Sequence, residues 1–571
     1  MSAELITLLI IAGIAAVIFA AAFRDRSHDR NRAIEKLRRS FGQIPGKEIP
    51  PERFEKIPYY FEHHRREGQI DDITWNDLNM DDLYERIDCT LSAAGEEYLY
   101  LLLRTPAYTE DGQAFKEEQL RFFQDPAHEA DRLRLQEILQ QLGRTGKYSF
   151  FEYMDLLDRL GKRSNAYHYA AIAMPLFAFL IMLVNVPRGA MLLAAAFVFN
   201  MVTYFKEKRE VEPYVVSFRY LLRMIGASEK LAAVNNPVLT EETEKLRQLA
   251  ASLRHFRRGS FLLLLDSQYG ASGNPADIVL DYLRMFFHLD LLKFNSMLGD
   301  VRKHAAEIEE LAMVTGKIDA MICAASFRES LPTYCEPALH EENGSGNKAG
   351  NWTYKAEGLF HPLLAEPVPN DLAADLHPVL ITGANASGKS TFLKASALCA
   401  ILSQTIRTAP AARYEGSFFR IFSSMALRDD IAGGESYFIV EIRSLKRILD
   451  AAEVEGPPIL CCIDEVLRGT NTIERIAASD EILQAFADAG ILCFAATHDI
   501  ELTQLLSGSF RNMHFEGRIE DGDVLFDYLL KEGAASERNA IALLRAAGYD
   551  PGIADRASAR ARRFEETGSW I

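Results

Sequence analysis

The chain has 571 residues, with 63 Lys and Arg against 80 Asp and Glu, for a formal net charge of −17. Its 48% hydrophobic and 25% charged residues exclude wholesale disorder, and the acidic balance excludes a general basic coat for nucleic acid. Seven scattered cysteines, Cys89, Cys323, Cys335, Cys399, Cys461, Cys462 and Cys493, show no paired C-x-x-C spacing for zinc and read as reduced thiols of a cytosolic compartment.

The first element in chain order is Leu5 to Phe23, an uncharged run long enough to cross a bilayer as a helix. Ala20 to Ala22 would suit a signal-peptide cleavage site, but Glu4 stands where a signal peptide carries basic residues, so an anchor is predicted. Arg24, Arg26, Arg30, Arg32, Lys36, Arg38 and Arg39 follow, and such an excess marks the cytoplasmic side, with the stretch next to the crossing suited to anionic lipid. Residues 24–165 are then a cytosolic helical region, in which Phe61-Glu62 reads as part of a structural aromatic cluster.

Ala166 to Phe205 is apolar but breaks at "NVPRG", which predicts two helices joined by a tight turn. Lys162 and Arg163 precede it and Lys206, Lys208 and Arg209 follow it, so both outer ends read as cytoplasmic. The rival is a hairpin buried in a soluble core, favoured by the short second arm and by Asn200 within it. With the anchor at 1–23 and the hairpin at 166–205, the prediction is a multi-pass protein of the cell membrane. Residues 206–345 form a second helical region, and 346–571 lie on the cytoplasmic side, where ATP is.

Within that last segment, "HPVLITGANASGKSTFLKASALCAILSQ" is a short apolar strand, then Gly383-x-x-x-x-Gly388-Lys389-Ser390, then a helical pattern. Residues Gly383, Ala384, Asn385, Ala386, Ser387, Gly388, Lys389, Ser390 and Thr391 are the predicted phosphate cradle. Its N–H groups would face the phosphates, Lys389 the terminal ones, and the Ser390 hydroxyl Mg²⁺. Downstream, "PPILCCIDEVLRGTNT" is a buried-strand run that delivers Asp464 and Glu465 to a strand's C-terminal edge, where ligands gather in open α/β sheets. Asp464 suits the metal, and Glu465 suits orienting or deprotonating the water that attacks the γ-phosphate. A third run, "ILCFAATHD", brings His498 to the same edge.

These residues carry a resemblance: His361 to about Ala557 resembles the ATPase domain of the MutS family of DNA mismatch-repair proteins. "TGANASGKST" resembles that family's phosphate loop, including Asn385. "DDIAGGESYFIVEI", with Ser436 and Glu441, resembles its signature segment, "DEVLRGTNT" its magnesium and dimer-contact loop, and "ATHDIELT" supplies its switch histidine. The resemblance implies that Ser436 reaches the nucleotide of a partner subunit, so that two chains, expected as a homodimer, share two ATP sites. More weakly, Leu83 to Phe123 resembles the family's helical core and Ile308 to Pro337 the long helix returning to the ATPase. Ahead of Asp71 there is too little chain for the family's mismatch-reading module, so no mismatch role is expected; nuclease modules fused to some relatives are likewise not expected.

The predicted fold is therefore a C-terminal α/β P-loop NTPase of the ABC-like, MutS-type class, preceded by a mainly α-helical core and lever region with transmembrane helices. The expected function is a membrane-anchored, MutS-like, Mg²⁺-dependent ATPase that works as a dimer and couples ATP to DNA handling. The alternative is a mechanochemical or signalling ATPase acting on a membrane or protein partner without DNA. Three crossings are few for the path of an ABC transporter.

Overall fold

The computed structural model describes residues 28–46, 49–146, 148–161, 163–257, 285–341, 352–374, 377–384, 386–425, 437–468, 470–520, 523–535, 541, 544 and 548–570. The expected first crossing at Leu5 to Phe23, together with Asn385 and Ser436, lies outside them. The chain divides into two compact units that are interleaved in sequence. One comprises Met1–His64, Asp88–Leu101 and Glu118–Ser326, and the other Arg65–Ile87, Leu102–Glu117 and Phe327–Ile571.

The first unit is helical in its described residues. Phe61 is buried and meets Tyr100 edge-on, as expected of a structural cluster. Asp319 is buried and accepts hydrogen bonds from the Leu91 and Ser92 N–H groups and the Ser92 hydroxyl, supplying partners at the start of helix Ala93–Arg104. Two of the basic residues near the expected anchor are engaged here: Arg30 pairs with Glu137 and Arg38 with Glu129.

The same unit carries the hairpin. Its first arm, Ala166–Val184, has 19 residues, about 28 Å of helical rise, against a hydrocarbon layer of about 30 Å. The second arm is part of one helix, Val186–Ala232, of 47 residues, which continues past the apolar stretch and buries Val211, Phe218, Leu221 and Ile225. Only 22% and 17% of the two apolar windows are buried, and Val184 and Phe177 are 90% and 65% exposed. A contiguous apolar surface of this kind is not what a core hairpin presents. By length and composition both helices are able to cross a membrane.

Two features hold the arms together. A Cβ on Gly189 would lie 2.1 Å from the Met182 Cα, so only glycine permits this approach. Pro175 has no N–H to give the Ala171 carbonyl one turn back, and the Asn200 amide replaces it at 2.8 Å while also donating to the Phe286 carbonyl at 2.9 Å. Asn200, buried between the arms, thus satisfies two backbone carbonyls. Arg163 pairs with Glu207 and Glu210, fastening the two outer ends to each other.

The second unit contains ten strands among its described residues: β1 (Ala338–His340), β2 (Tyr354–Leu359), β3 (Asn370–Ala374), β4 (Val379–Thr382), β5 (Arg413–Ser417), β6 (Arg420–Ser424), β7 (Ile459–Asp464), β8 (Leu492–Thr497), β9 (Arg511–Glu520) and β10 (Asp523–Glu532). They form a four-stranded sheet, β1-β5-β2-β3, and a six-stranded sheet, β10-β9-β4-β8-β7-β6. In the larger sheet β9, β4, β8, β7 and β6 are parallel and β10 is antiparallel. Parallel strands covered on both faces need unbroken apolar runs. Accordingly β4 and β8 are wholly buried, and β7 is buried up to Asp464. The core packs Ile459, Cys461 and Ile463 with Leu483, Phe486 and Ala495. All seven cysteines are free.

β6 is an edge strand, and helix Asp72–Asp77 covers it. The Asp77 carboxylate accepts from the Ser423 hydroxyl at 2.7 Å and from the Met425 N–H at 2.9 Å, while the Thr74 hydroxyl accepts from the Ser423 N–H. Covering an edge in this way removes a template for unwanted strand pairing. Arg328, fully buried, is held by both Glu117 oxygens and by Thr408.

Candidate functional site

The chain leaves β4 into the glycine loop and then enters helix Lys389–Ile406, so the first-turn N–H groups open toward the C-terminal ends of β4, β7 and β8. Gly383 has φ 147°, and a Cβ there would lie 2.7 Å from the Phe515 carbonyl oxygen, so the turn depends on glycine. Lys389 is buried and donates to the carbonyls of Gly383 at 2.8 Å and Ala384 at 2.9 Å, with His498 Nε2 at 3.4 Å. Burial lowers its pKa to about 8, against the opposing pull of Asp464 and Glu465.

The acidic strand end lies alongside. Ser390 Oγ donates to Asp464 Oδ2 at 2.5 Å. Glu465 binds His498 Nε2 through Oε1 at 2.9 Å and Arg468 Nε through Oε2 at 2.8 Å. The hydrogen bond from His498, reinforced by the charge of Arg468, holds the Glu465 carboxyl below its usual range despite partial burial. Glu465 and Leu467 have φ of 62° and 59°, a left-handed backbone that costs residues with side chains on the order of 1–3 kcal/mol each. Buried Val466 and Leu467 and the Glu465 N–H bond to the Ala496 carbonyl offset that strain.

The structure therefore brings together Lys389, Ser390, Asp464, Glu465 and His498, each expected from sequence at a strand end or at the start of the helix. Gly383, Ala384, Ala386, Ser387, Gly388 and Thr391 occupy the loop and first turn between them, while Asn385 and Ser436 fall outside the described residues. The sequence reading missed the opposite wall. A cavity of about 530 Å³ extends from the loop to Leu364, Val368, Asn370 and Tyr528. The Asn370 amide donates to the Tyr528 carbonyl and accepts from the Leu530 N–H, filling the irregularity between Phe526 and Leu530 in β10. His361 also lines the cavity, and burial lowers its pKa to about 4. The Pro-rich "HPLLAEPVPND" has no periodicity, so only its turn chemistry was available as a signal.

Ser390 and Asp464 present converging hard oxygens, a donor pair that suits Mg²⁺ sharing its remaining positions with phosphate and water. Among the described residues no group of three or more His, Cys, Asp or Glu could hold a metal ion on its own.

Fold and site together define the class: a parallel α/β domain whose glycine loop and acidic strand end face one cavity. Residues 379–565 match the family model MutS domain V, and the same half of the chain is similar to MutS proteins. It is 34% identical over 280 residues to the DNA mismatch repair protein MutS of Natronomonas pharaonis, covering 47% of this chain and 31% of that one. It is 32% identical over 284 residues to DNA mismatch repair protein MutS 2 of Haloarcula marismortui, covering 46% and 29%. For MutS of Thermus thermophilus the figures are 31% over 264 residues, 45% and 30%. The chain thus spans about a third of the length of these curated relatives.

Proposed function

We propose that the chain is a membrane-anchored MutS-like ATPase that binds and hydrolyses ATP as a homodimer and couples the cycle to DNA. One observation carries the ATPase reading: Lys389, Ser390, Asp464, Glu465 and His498 converge within hydrogen-bond reach at neighbouring strand ends. In this reading Lys389 trades the Gly383 and Ala384 carbonyls for phosphate oxygens. Ser390 and Asp464 hold Mg²⁺, which neutralises phosphate charge when bound. Glu465 turns from Arg468 and His498 to orient and deprotonate the attacking water, His498 stays within reach of the γ-phosphate, and Ser436 of a second copy completes the site. The apolar hairpin supports membrane insertion, with its outer ends and the ATPase domain cytoplasmic and Leu5 to Phe23 as a further crossing.

Lys389 gives this reading a pH signature. A lysine with pKa near 8 is drawn upward by bound phosphate, so above that pH binding must take up a proton. ATP affinity is then full below pH 8 and falls by up to about tenfold per unit above it. Calorimetry in buffers of different ionisation heat reads the proton directly, and Lys389→Ala should abolish the uptake along with most of the binding.

DNA coupling rests on the MutS relatives. A second reading, ATP-driven movement of a membrane or protein partner without DNA, is favoured by the single helix Val186–Ala232 that runs from the apolar hairpin into the helical unit. Purified full-length protein in detergent separates them. ATPase activity stimulated by DNA and suppressed by salt supports the first, because phosphate contacts release counterions; indifference to DNA supports the second.

A further inference from the structure

The turn that carries His498 out of β8 is clamped to helix Thr472–Asp488, the helix that follows the Asp464–Glu465 loop in the chain. Arg475 Nε donates to Asp499 Oδ2 at 2.9 Å and its Nη2 donates to Oδ1 at 2.5 Å. Such a two-pronged guanidinium–carboxylate fork fixes direction as well as distance. Asp499 is held through its backbone too: its N–H donates to the hydroxyl of buried Thr497 at 3.0 Å and its carbonyl accepts from the Leu502 N–H. His498 lies between these two residues, so where it stands follows from where Asp499 is held.

Arg475 is the fourth residue of its helix, which Asn471 caps at the Ile473 N–H. The positive end of a helix disfavours a cation, so helix stability does not account for an arginine there; Asp499 does. Hydrogen bonding to Asp499 raises the Arg475 pKa against burial, and the charges of Asp499 and Glu465 add to the rise. The fork therefore ties the chain leaving β7 to the chain leaving β8. Across the same gap His498 Nε2 meets Glu465 Oε1 at 2.9 Å and stands 3.4 Å from Lys389 Nζ. A displacement of about 1 Å breaks contacts of this length.

We infer that Arg475 and Asp499 are a positioning pair whose fork fixes the turn after β8 and so keeps His498 in reach of Glu465 and Lys389. This rests on the ATPase reading above and adds to it two residues that act through His498 rather than on the nucleotide itself.

The experiment measures ATP hydrolysis by full-length protein in detergent, with folding checked by circular dichroism. Wild type without Mg²⁺-dependent ATPase activity overturns the functional reading itself. Given wild-type activity, Arg475→Met should lower kcat about tenfold with ATP KM within about threefold, since the glycine loop and Lys389 are untouched. Arg475→Lys, which keeps the charge without the fork, should lose most of the same rate. In a His498→Ala background, Arg475→Met should change kcat less than about twofold, because the side chain being placed is gone. A kcat within about twofold of wild type in either single Arg475 variant, or a change in KM alone, overturns the positioning role. An undiminished tenfold loss in the His498→Ala background also overturns it, because the pair would then act on the structure at large. Should His498→Ala leave no measurable turnover, the reversed pair Arg475→Asp with Asp499→Arg decides: recovery of kcat over Arg475→Met supports the pair, and no recovery overturns it. Should Arg475→Met fail to fold, Arg475→Lys takes its place in each comparison.

Discussion

Glu465→Gln is expected to lower ATP turnover by about 10²- to 10⁴-fold while leaving ATP binding intact, the range for loss of a general base. Glu465 sits directly beyond β7, and its two oxygens are engaged by His498 and Arg468. The hydrogen bond from His498 and the nearby cationic charge hold its carboxyl below the usual range. It is therefore ionised at neutral pH and able to receive a proton, and it loses that ability only as the pH falls through its depressed pKa. Glutamine keeps the size and the hydrogen-bonding oxygen but cannot take the proton. Lys389 and Ser390 are unchanged, so filter-bound nucleotide should persist as ATP rather than ADP in a single-turnover experiment. Turnover within tenfold of wild type would mean that the water is activated elsewhere.

The parts of this site that were legible in the sequence are those whose physics is local. VLIT, ILCCID and LCFAAT read as strands because a parallel strand buried on both faces is an unbroken apolar run, and Gly383, Asp464 and His498, where the runs stop, mark the edge. The phosphate loop was legible because its glycines answer to backbone geometry within a few residues. Thr74 and Asp77 were not, since their partners Ser423 and Met425 are hundreds of residues away and leave no period in the helix that carries them. Tyr528 was hidden for a similar reason, because only the Asn370 side chain filling the β10 irregularity places it on the cavity. The hairpin arms were plain from composition. Their continuation was not: the helix runs through Phe205 to Ala232 although its character changes from apolar to charged, because backbone hydrogen bonding does not depend on which solvent surrounds the side chains.

A cysteine placed at Arg188, beside the hairpin turn, is expected to react with a membrane-impermeant maleimide on intact cells, whereas one at Lys208 should react only after permeabilisation. Residue 188 lies beyond the first arm, and residue 208 lies beyond the apolar part of the second, where Arg163 joins Glu207 and Glu210. If the arms cross a bilayer, these two positions are separated by about 30 Å of hydrocarbon. The native thiols interfere little, because Cys323, Cys399, Cys461, Cys462 and Cys493 are buried, and Cys89 and Cys335 can be replaced by serine. Burial of Leu176, Phe177, Leu180 and Leu183 in lipid rather than water supplies the driving force, at about 1.5–3 kcal/mol for each large apolar side chain. Opposing it, an Arg in mid-helix would cost about 2.5–3.5 kcal/mol, so Leu180→Arg should make the Arg188 position less accessible from outside as fewer hairpins insert. Equal labelling of positions 188 and 208 in intact cells would place the hairpin on one side of the membrane, and its exposed apolar faces would then have to be covered by protein.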